Sequence, residues 1–213
     1  MSTVRRPRKT TPVRQVAEDR QQGLIEAAIR SLKRHGHEGL SVRRIAEEAG
    51  VSIGLINHHF PNKNALVAEA YRYFYRQLVG GMREAVARTS GSARSRLRAF
   101  FEASFSPPNL DPDVLTVWIV FWAMHRHSTE IQGVHHETHG DHVELVRGML
   151  ADLAKESSGE SGRARLNLRL QAIGLTALID GLWLEWCLDP ADFRPREAVA
   201  LCESWVDKLS EGA

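Results

Sequence analysis

The sequence predicts an all-α protein. Apolar residues recur at three- and four-residue spacing through nearly all of its 213 residues, no segment alternates in the two-residue rhythm of a strand, and the periodic runs are separated by clusters of Ser, Gly, Pro and Asp. That length holds one or two modest domains. The expected organisation is an arm over residues 1–14, a three-helix first domain over 15–62, a connecting helix over 63–91 and an all-helical second domain over 92–213.

The arm carries Arg5, Arg6, Arg8, Lys9 and Arg14 with no acidic residue and no apolar period, which is the composition of a disordered basic segment. It either stays solvated or reaches into a minor groove. Leu24, Ile25, Ala28, Ile29 and Leu32 then mark one face of a first helix over about 15–35, stopped at Gly36. Two short helices are expected to cross steeply between Ser41 and Phe60. Ala46 lets their axes approach, Gly50 can take the left-handed backbone that turns the chain, and Ile56 fills the angle between them. Ser41 and Ser52 are the candidate caps. Such a pair presents its second helix to a DNA major groove. The charge agrees, since residues 1–62 hold eleven Lys and Arg against six Asp and Glu (+5) while 63–213 hold seventeen against twenty (−3). A polyanion would therefore be drawn to the first domain in a salt-dependent way.

A fourth helix starts near Asn62, with Leu66, Ala70, Tyr73, Phe74, Gln77 and Gly81 along its expected inner face toward Ala87. Its first turn would lie near the DNA, so it can transmit movement from the rest of the chain. Further helices are expected over 93–105, 112–125, 128–155, 163–188 and 194–209, with breaks at 106–113 and 156–162. The segment 170–188 is apolar nearly all round, which suits a helix packed on its own core and on a second copy of the chain.

The run from Ser41 to Leu66 resembles a known family. Ile45, Ala46, Ala49, Gly50, Val51, Ser52, Gly54, His59, Phe60, Lys63 and Leu66 stand where the TetR family of bacterial transcriptional regulators carries its signature. Asn57 departs from it: the family usually has a Tyr there that touches the phosphate backbone, and a shorter amide can still bond a phosphate or a base edge. The resemblance implies a sequence-specific repressor of a double-stranded DNA operator. The candidate contacts are Ile53, Gly54, Asn57 and His58 to bases and Ser41, Ser52 and Lys63 to phosphates, with Arg43 and Leu55 beside them. It also implies a homodimer in which the last two helices pair with their copies. Trp186 and Trp205 are candidates for that interface, or else belong to the core of one subunit. Two-fold symmetry would set the reading helices about 34–36 Å apart, or a multiple of that.

Asp180 is the residue that the apolar helix over 170–188 does not account for, because an unpaired carboxylate there costs several kcal/mol to bury. Trp183 follows at i+3, and Trp118 and Trp122 stand i,i+4 on the helix containing the uncharged run 114–124. Three indoles and one carboxylate can surround an organic cation; the alternative is ordinary core, with the Asp bonded to a neighbour. WIVFWA at 118–123 and ALIDGLWL at 177–184 resemble the TetR branch that represses choline-to-glycine-betaine genes. That resemblance implies a small-molecule effector, choline or another quaternary ammonium or amine. A multidrug-type repressor with a promiscuous aromatic pocket is the runner-up.

His135, His139 and His142 share one helical face, a spacing that could hold Zn or Ni and would make the protein metal-responsive; a solvated histidine face is the plainer reading. No metal or cofactor is expected. No enzyme is expected either, because there is no Gly-rich phosphate loop after a strand, no Gly-x-Ser-x-Gly elbow and no recognisable nucleophile motif. A nonspecific architectural DNA binder would not need so large an aromatic domain. The N-terminus lacks the apolar stretch of a secretory signal, the run 114–124 is too short to span a bilayer, and Cys187 and Cys202 read as buried thiols in a reducing compartment, so a cytoplasmic location is expected with no membrane partner.

Overall fold

The computed structural model describes residues 12–165 and 167–211, and every regular element among them is helical. The chain divides into two compact units at Ala70/Tyr71. In the first, helix α1 spans Pro12–His35. Proline suits the first helical position, where no N–H is needed, so residues 12–14 belong to α1 and not to the arm. Residues 1–11 of the arm lie outside the described residues. Helix α1 ends on Lys33, Arg34 and His35, which complement the negative end of its dipole, and the chain turns at Gly36 with φ of 57°.

A 3₁₀ turn over Gly36–Leu40 folds back on α1 so tightly that a Cβ on Gly39 would sit 2.2 Å from the Ser31 carbonyl oxygen. The Ser31 hydroxyl donates to the Gly39 carbonyl at 2.9 Å. Helices α2 (Val42–Ala49) and α3 (Ile53–His59) follow. Ser41 Oγ accepts from the Arg44 N–H and Ser52 Oγ from the Leu55 N–H, each at 3.3 Å, as the two caps predicted. Gly50 is left-handed, with φ 67° and ψ 33°. Ile45, Ala46, Ile56 and Phe60 are buried with Leu24, Ala28 and Leu32, and Glu48 binds Arg30 and Arg34 to tie α2 to α1.

Helix α4 spans Lys63–Arg88, capped by Asn62 Oδ1 accepting from the Ala65 N–H at 2.8 Å. Its residues from Tyr71 onward belong to the second unit. The inner face differs from the expectation: Tyr71, Phe74, Tyr75, Leu78 and Val79 are buried there, while Gln77 and Gly81 are exposed. Steps of four residues over-rotate a helix of 3.6 residues per turn, so the stripe that starts at Leu66 and Ala70 drifts toward Tyr71 and Tyr75.

The second unit continues with α5 (Ala93–Ser104), α6 (Pro112–His125), α7 (Thr129–Arg165), α8 (Leu168–Leu188) and α9 (Pro195–Glu211). The expected break at 156–162 is absent, and α7 continues to Arg165. Gly inside a helix costs only about 1 kcal/mol relative to Ala, and Glu156 is anchored. Both its carboxylate oxygens accept from the Ala93 N–H at the start of α5, at 2.9 and 2.8 Å, and Arg96 lies 3.8 Å away. The new start is set by Asn167, whose Oδ1 accepts from the Leu170 N–H. Leu97, Phe100, Phe101, Val117, Phe121, Ile131, Val146 and Leu175 form the core. The thiols of Cys187 and Cys202 are buried, and burial pushes them up to about 11 and about 12. No helix among the described residues is long and apolar enough to cross a membrane.

Candidate functional site

Two places carry the residues singled out by sequence. The first is the outer face of α3. Ile56 is turned into the core at 2% exposure, which leaves Ile53, Gly54, Asn57 and His58 exposed along one side. Ile53 is 46% exposed and serves no core in this unit. Leu55 is half-buried. The hydroxyls of Ser41 and Ser52 accept from their own helices but keep a hydrogen to donate. Arg43 is exposed and paired with Glu47 at 3.0 Å, and Lys63 is exposed at the first residue of α4.

The second is a cavity of about 110 Å³ inside the second unit, walled by α4, α5, α6, α7 and α8. Trp118, Trp122, Asp180 and Trp183 all line it. Trp183 is buried, and its indole N–H donates to the Asn109 carbonyl at 2.9 Å. Trp118 meets the rings of Phe74 and Tyr75 edge-on, each at 5.3 Å, and Trp122 lies tilted against it at 5.6 Å, 39% exposed. Asp180 is exposed at its place on α8, and partial loss of hydration beside the cavity pushes its carboxyl up to about 6. Among the described residues no Lys or Arg lines this wall.

The histidines complete the wall, so the plainer expectation of a solvated histidine face is corrected. His135, His139 and His142 all line the cavity, and His142 is 7% exposed, in ring contact with Phe100 and Tyr75. Sequence spacing tells which residues share a face but not that α4 and α5 cover it. His135 Nδ1 is 2.7 Å from the Tyr71 hydroxyl, and its ring stacks on His139 at 4.9 Å. Burial, with neighbouring histidines, pushes His135 down to about 4; burial first, then His139 and Arg83, do the same to His142; burial lowers His139. These imidazoles are neutral at pH 7. Among the described residues no group of three or more His, Cys, Asp or Glu is disposed to hold a metal ion.

Tyr75, Asn109 and Thr176 also line the cavity and were not singled out by sequence. The i,i+4 pair Tyr71 and Tyr75 was a usable signal for α4. Asn109 sits in a connection, and a lone Thr in an apolar helix carries no signal at all. Trp205 is half-buried against α8, with Cζ2 3.2 Å from where a Gly174 Cβ would stand. On α8 the exposed apolar side is carried by Leu170, Ile173 and Leu188. Trp186, half-buried, lies on the opposite side of that helix.

A capped short helix pair with an exposed second helix, followed by a helical unit enclosing an aromatic and acidic cavity, defines a helix-turn-helix transcriptional regulator with its own regulatory domain. Residues 24–70 match the model described as "Bacterial regulatory proteins, tetR family", and residues 93–211 match "BetI-type transcriptional repressor, C-terminal". The chain belongs to the TetR family, with a BetI-type C-terminal domain; it is a DNA-binding repressor and not an enzyme. The HTH-type transcriptional regulator BetI of Burkholderia thailandensis E264 is 30% identical over 192 residues, covering 90% of this chain and 94% of that one. A crystal structure from Pseudomonas aeruginosa PAO1 is 49% identical with a TM-score of 0.84, covering 92% of each chain. A structure from Saccharomonospora viridis in complex with choline has a TM-score of 0.75, covering 89% of this chain and 96% of that one. It is 20% identical, a likeness of fold alone.

Proposed function

We propose that this repressor works as a homodimer and that a small organic cation, choline-like or another amine, lowers its DNA affinity by binding in the cavity. One observation carries the reading: Asp180 faces a cavity walled by Trp118, Trp122 and Trp183 with no Lys or Arg among the described lining residues. An ionised carboxylate beside these indoles attracts a positive partner, and each indole face adds roughly 0.5–2 kcal/mol of cation–π attraction where the cation is desolvated. The choline held by a protein of the same fold supports the ligand class.

Ile53, Gly54, Asn57 and His58 meet bases in this reading, while Ser41, Arg43, Ser52 and Lys63 hold phosphates and Leu55 steadies the helix. Dimerisation uses the exposed stripe Leu170, Ile173 and Leu188 of α8 with Leu201 of α9, bordered by Trp205. Trp186 faces away from that stripe and is not part of it. A ligand can release DNA only by binding one dimer geometry better than another. Helix α4 is the element able to couple them, because it begins at Lys63 and carries Tyr75 on the cavity wall.

Calorimetry with choline and a panel of primary amines tests the reading. Micromolar to millimolar binding is expected, weakened at least tenfold in Asp180→Asn. No heat with any cation, or unchanged affinity in that variant, would return these residues to ordinary core.

A further inference from the structure

The cavity wall contains unspent hydrogen-bond acceptors, and these bear on which cation it takes. Among the described residues, three buried side-chain polar atoms lack any hydrogen-bond partner: Asn109 Oδ1, His142 Nδ1 and Thr176 Oγ1. All three residues line this one cavity, at 6%, 7% and 4% exposure. Buried polar groups are almost always paired, so a cluster of orphans around a cavity points to a missing partner.

The chemistry of that partner follows from what is already used. The Asn109 amide nitrogen donates to the Ala103 carbonyl at 2.9 Å, which fixes the amide orientation and leaves its oxygen as an acceptor only. The Trp183 N–H is committed to the Asn109 carbonyl, and the Ser104 hydroxyl to the Phe100 carbonyl. A neutral imidazole at His142 offers a lone pair at Nδ1 in its Nε2–H tautomer, and the Thr176 hydroxyl offers two lone pairs beside its own O–H. Thr176 stands i,i+4 from Asp180 on α8, so the hydroxyl and the carboxylate share one face.

We propose that the cavity selects an ammonium ion that keeps N–H donors, a primary or secondary amine of small size, over its fully N-methylated counterpart. This rests on the cation reading above and narrows it. A quaternary head presents only C–H to Thr176, Asn109 and His142 and leaves them orphaned. An N–H donor pairs them, and a hydrogen bond from a charged donor discriminates by roughly ten- to a hundredfold.

The test is calorimetry on the full chain with ethanolamine, N-methylethanolamine, N,N-dimethylethanolamine and choline, which share a skeleton and a charge and lose one N–H at each step. Affinity is expected to fall along the series, with choline at least tenfold weaker than ethanolamine. Thr176→Val removes an acceptor that has no internal bond to lose, so the variant should melt no lower than the parent and should narrow the ethanolamine-to-choline gap several-fold. Choline binding as tightly as ethanolamine or tighter overturns this selectivity while leaving the cation reading intact. A gap that Thr176→Val does not narrow also overturns it, since the acceptors would then be served by water. If no member of the series binds, the cation reading falls and the selectivity with it.

Discussion

Gly39 is fixed by contact with backbone. Its missing side chain lets the 3₁₀ turn lie against α1, and the atoms a Cβ would meet are the Ser31 oxygen and carbon and the Leu32 nitrogen, at 2.2, 2.6 and 2.9 Å. None can swing aside as a side chain would. Gly39→Ala should therefore destabilise the first unit by roughly 3 kcal/mol, the upper end for overpacking; urea titration followed by circular dichroism would show it, and a parent-like midpoint would mean the turn can move. Asp180 was legible in the sequence for the opposite reason: one carboxylate in a long apolar run stands out from its neighbours by chemistry alone. Asn109 and Thr176 were not, because whether a polar atom finds a partner is decided by helices distant in sequence.

Among the elements, α3 and α7 show what periodicity can and cannot give. The caps, the left-handed Gly50 and the buried Ile56 of the α2–α3 pair follow from residue chemistry within a few positions, so this part was readable almost residue by residue. Replacing Asn57 by Ala should change sequence preference among operators, whereas Lys63→Ala should weaken binding to all sequences and lower the salt slope by about one. Competition assays at several salt concentrations separate the two, and an equal loss of specific and nonspecific binding in Asn57→Ala would remove Asn57 from base contact. Helix α7 began where expected but ran past its Ser- and Gly-rich stretch, because the anchor at Glu156 is a tertiary contact.

The same helix predicts a response to acid. His135 and His142 titrate at about 4 in the fold against an ordinary 6.5, and His139 is lowered too. Between those values the unfolded chain binds more protons, so their contribution is lost as pH falls from about 6.5 to about 4. Asp180, at about 6 against 3.8, works the other way and gains stability as pH falls through that window. Tyr75 faces the same cavity but stays protonated, its hydroxyl pushed further up by burial. Histidines outnumber the single carboxylate, so the second unit should lose stability on acidification. Denaturant midpoints measured from pH 7 to 4 check this, and a flat or rising profile would mean that the histidines are more hydrated than their burial indicates.

For the whole molecule, four of the six large apolar residues exposed among the described residues of the second unit, Leu170, Ile173, Leu188 and Leu201, stand on α8 and α9, with Ile119 and Trp122 on α6, and the α8–α9 patch is where an unassembled subunit would be ill at ease in water. Ile173→Glu should give monomers in sedimentation velocity and cost most of the operator affinity, because two half-sites would no longer be held by one particle. A dimer undisturbed by that change would place the interface elsewhere. The two-unit, all-helical plan was legible from periodicity, but the side of α8 that faces outward was not, since nearly every side of it is apolar.

Release of DNA by a bound cation is the central claim, and operator binding followed by fluorescence anisotropy tests it most directly, using a fragment selected from random DNA by the protein itself. Ethanolamine and choline would be titrated into the preformed complex of the parent chain and of Asp180→Asn. Dissociation of the parent complex by at least one of the two cations is expected, with the variant needing at least tenfold more of the same cation. A parent complex that neither cation dissociates, or a variant released at the same concentration as the parent, would contradict it.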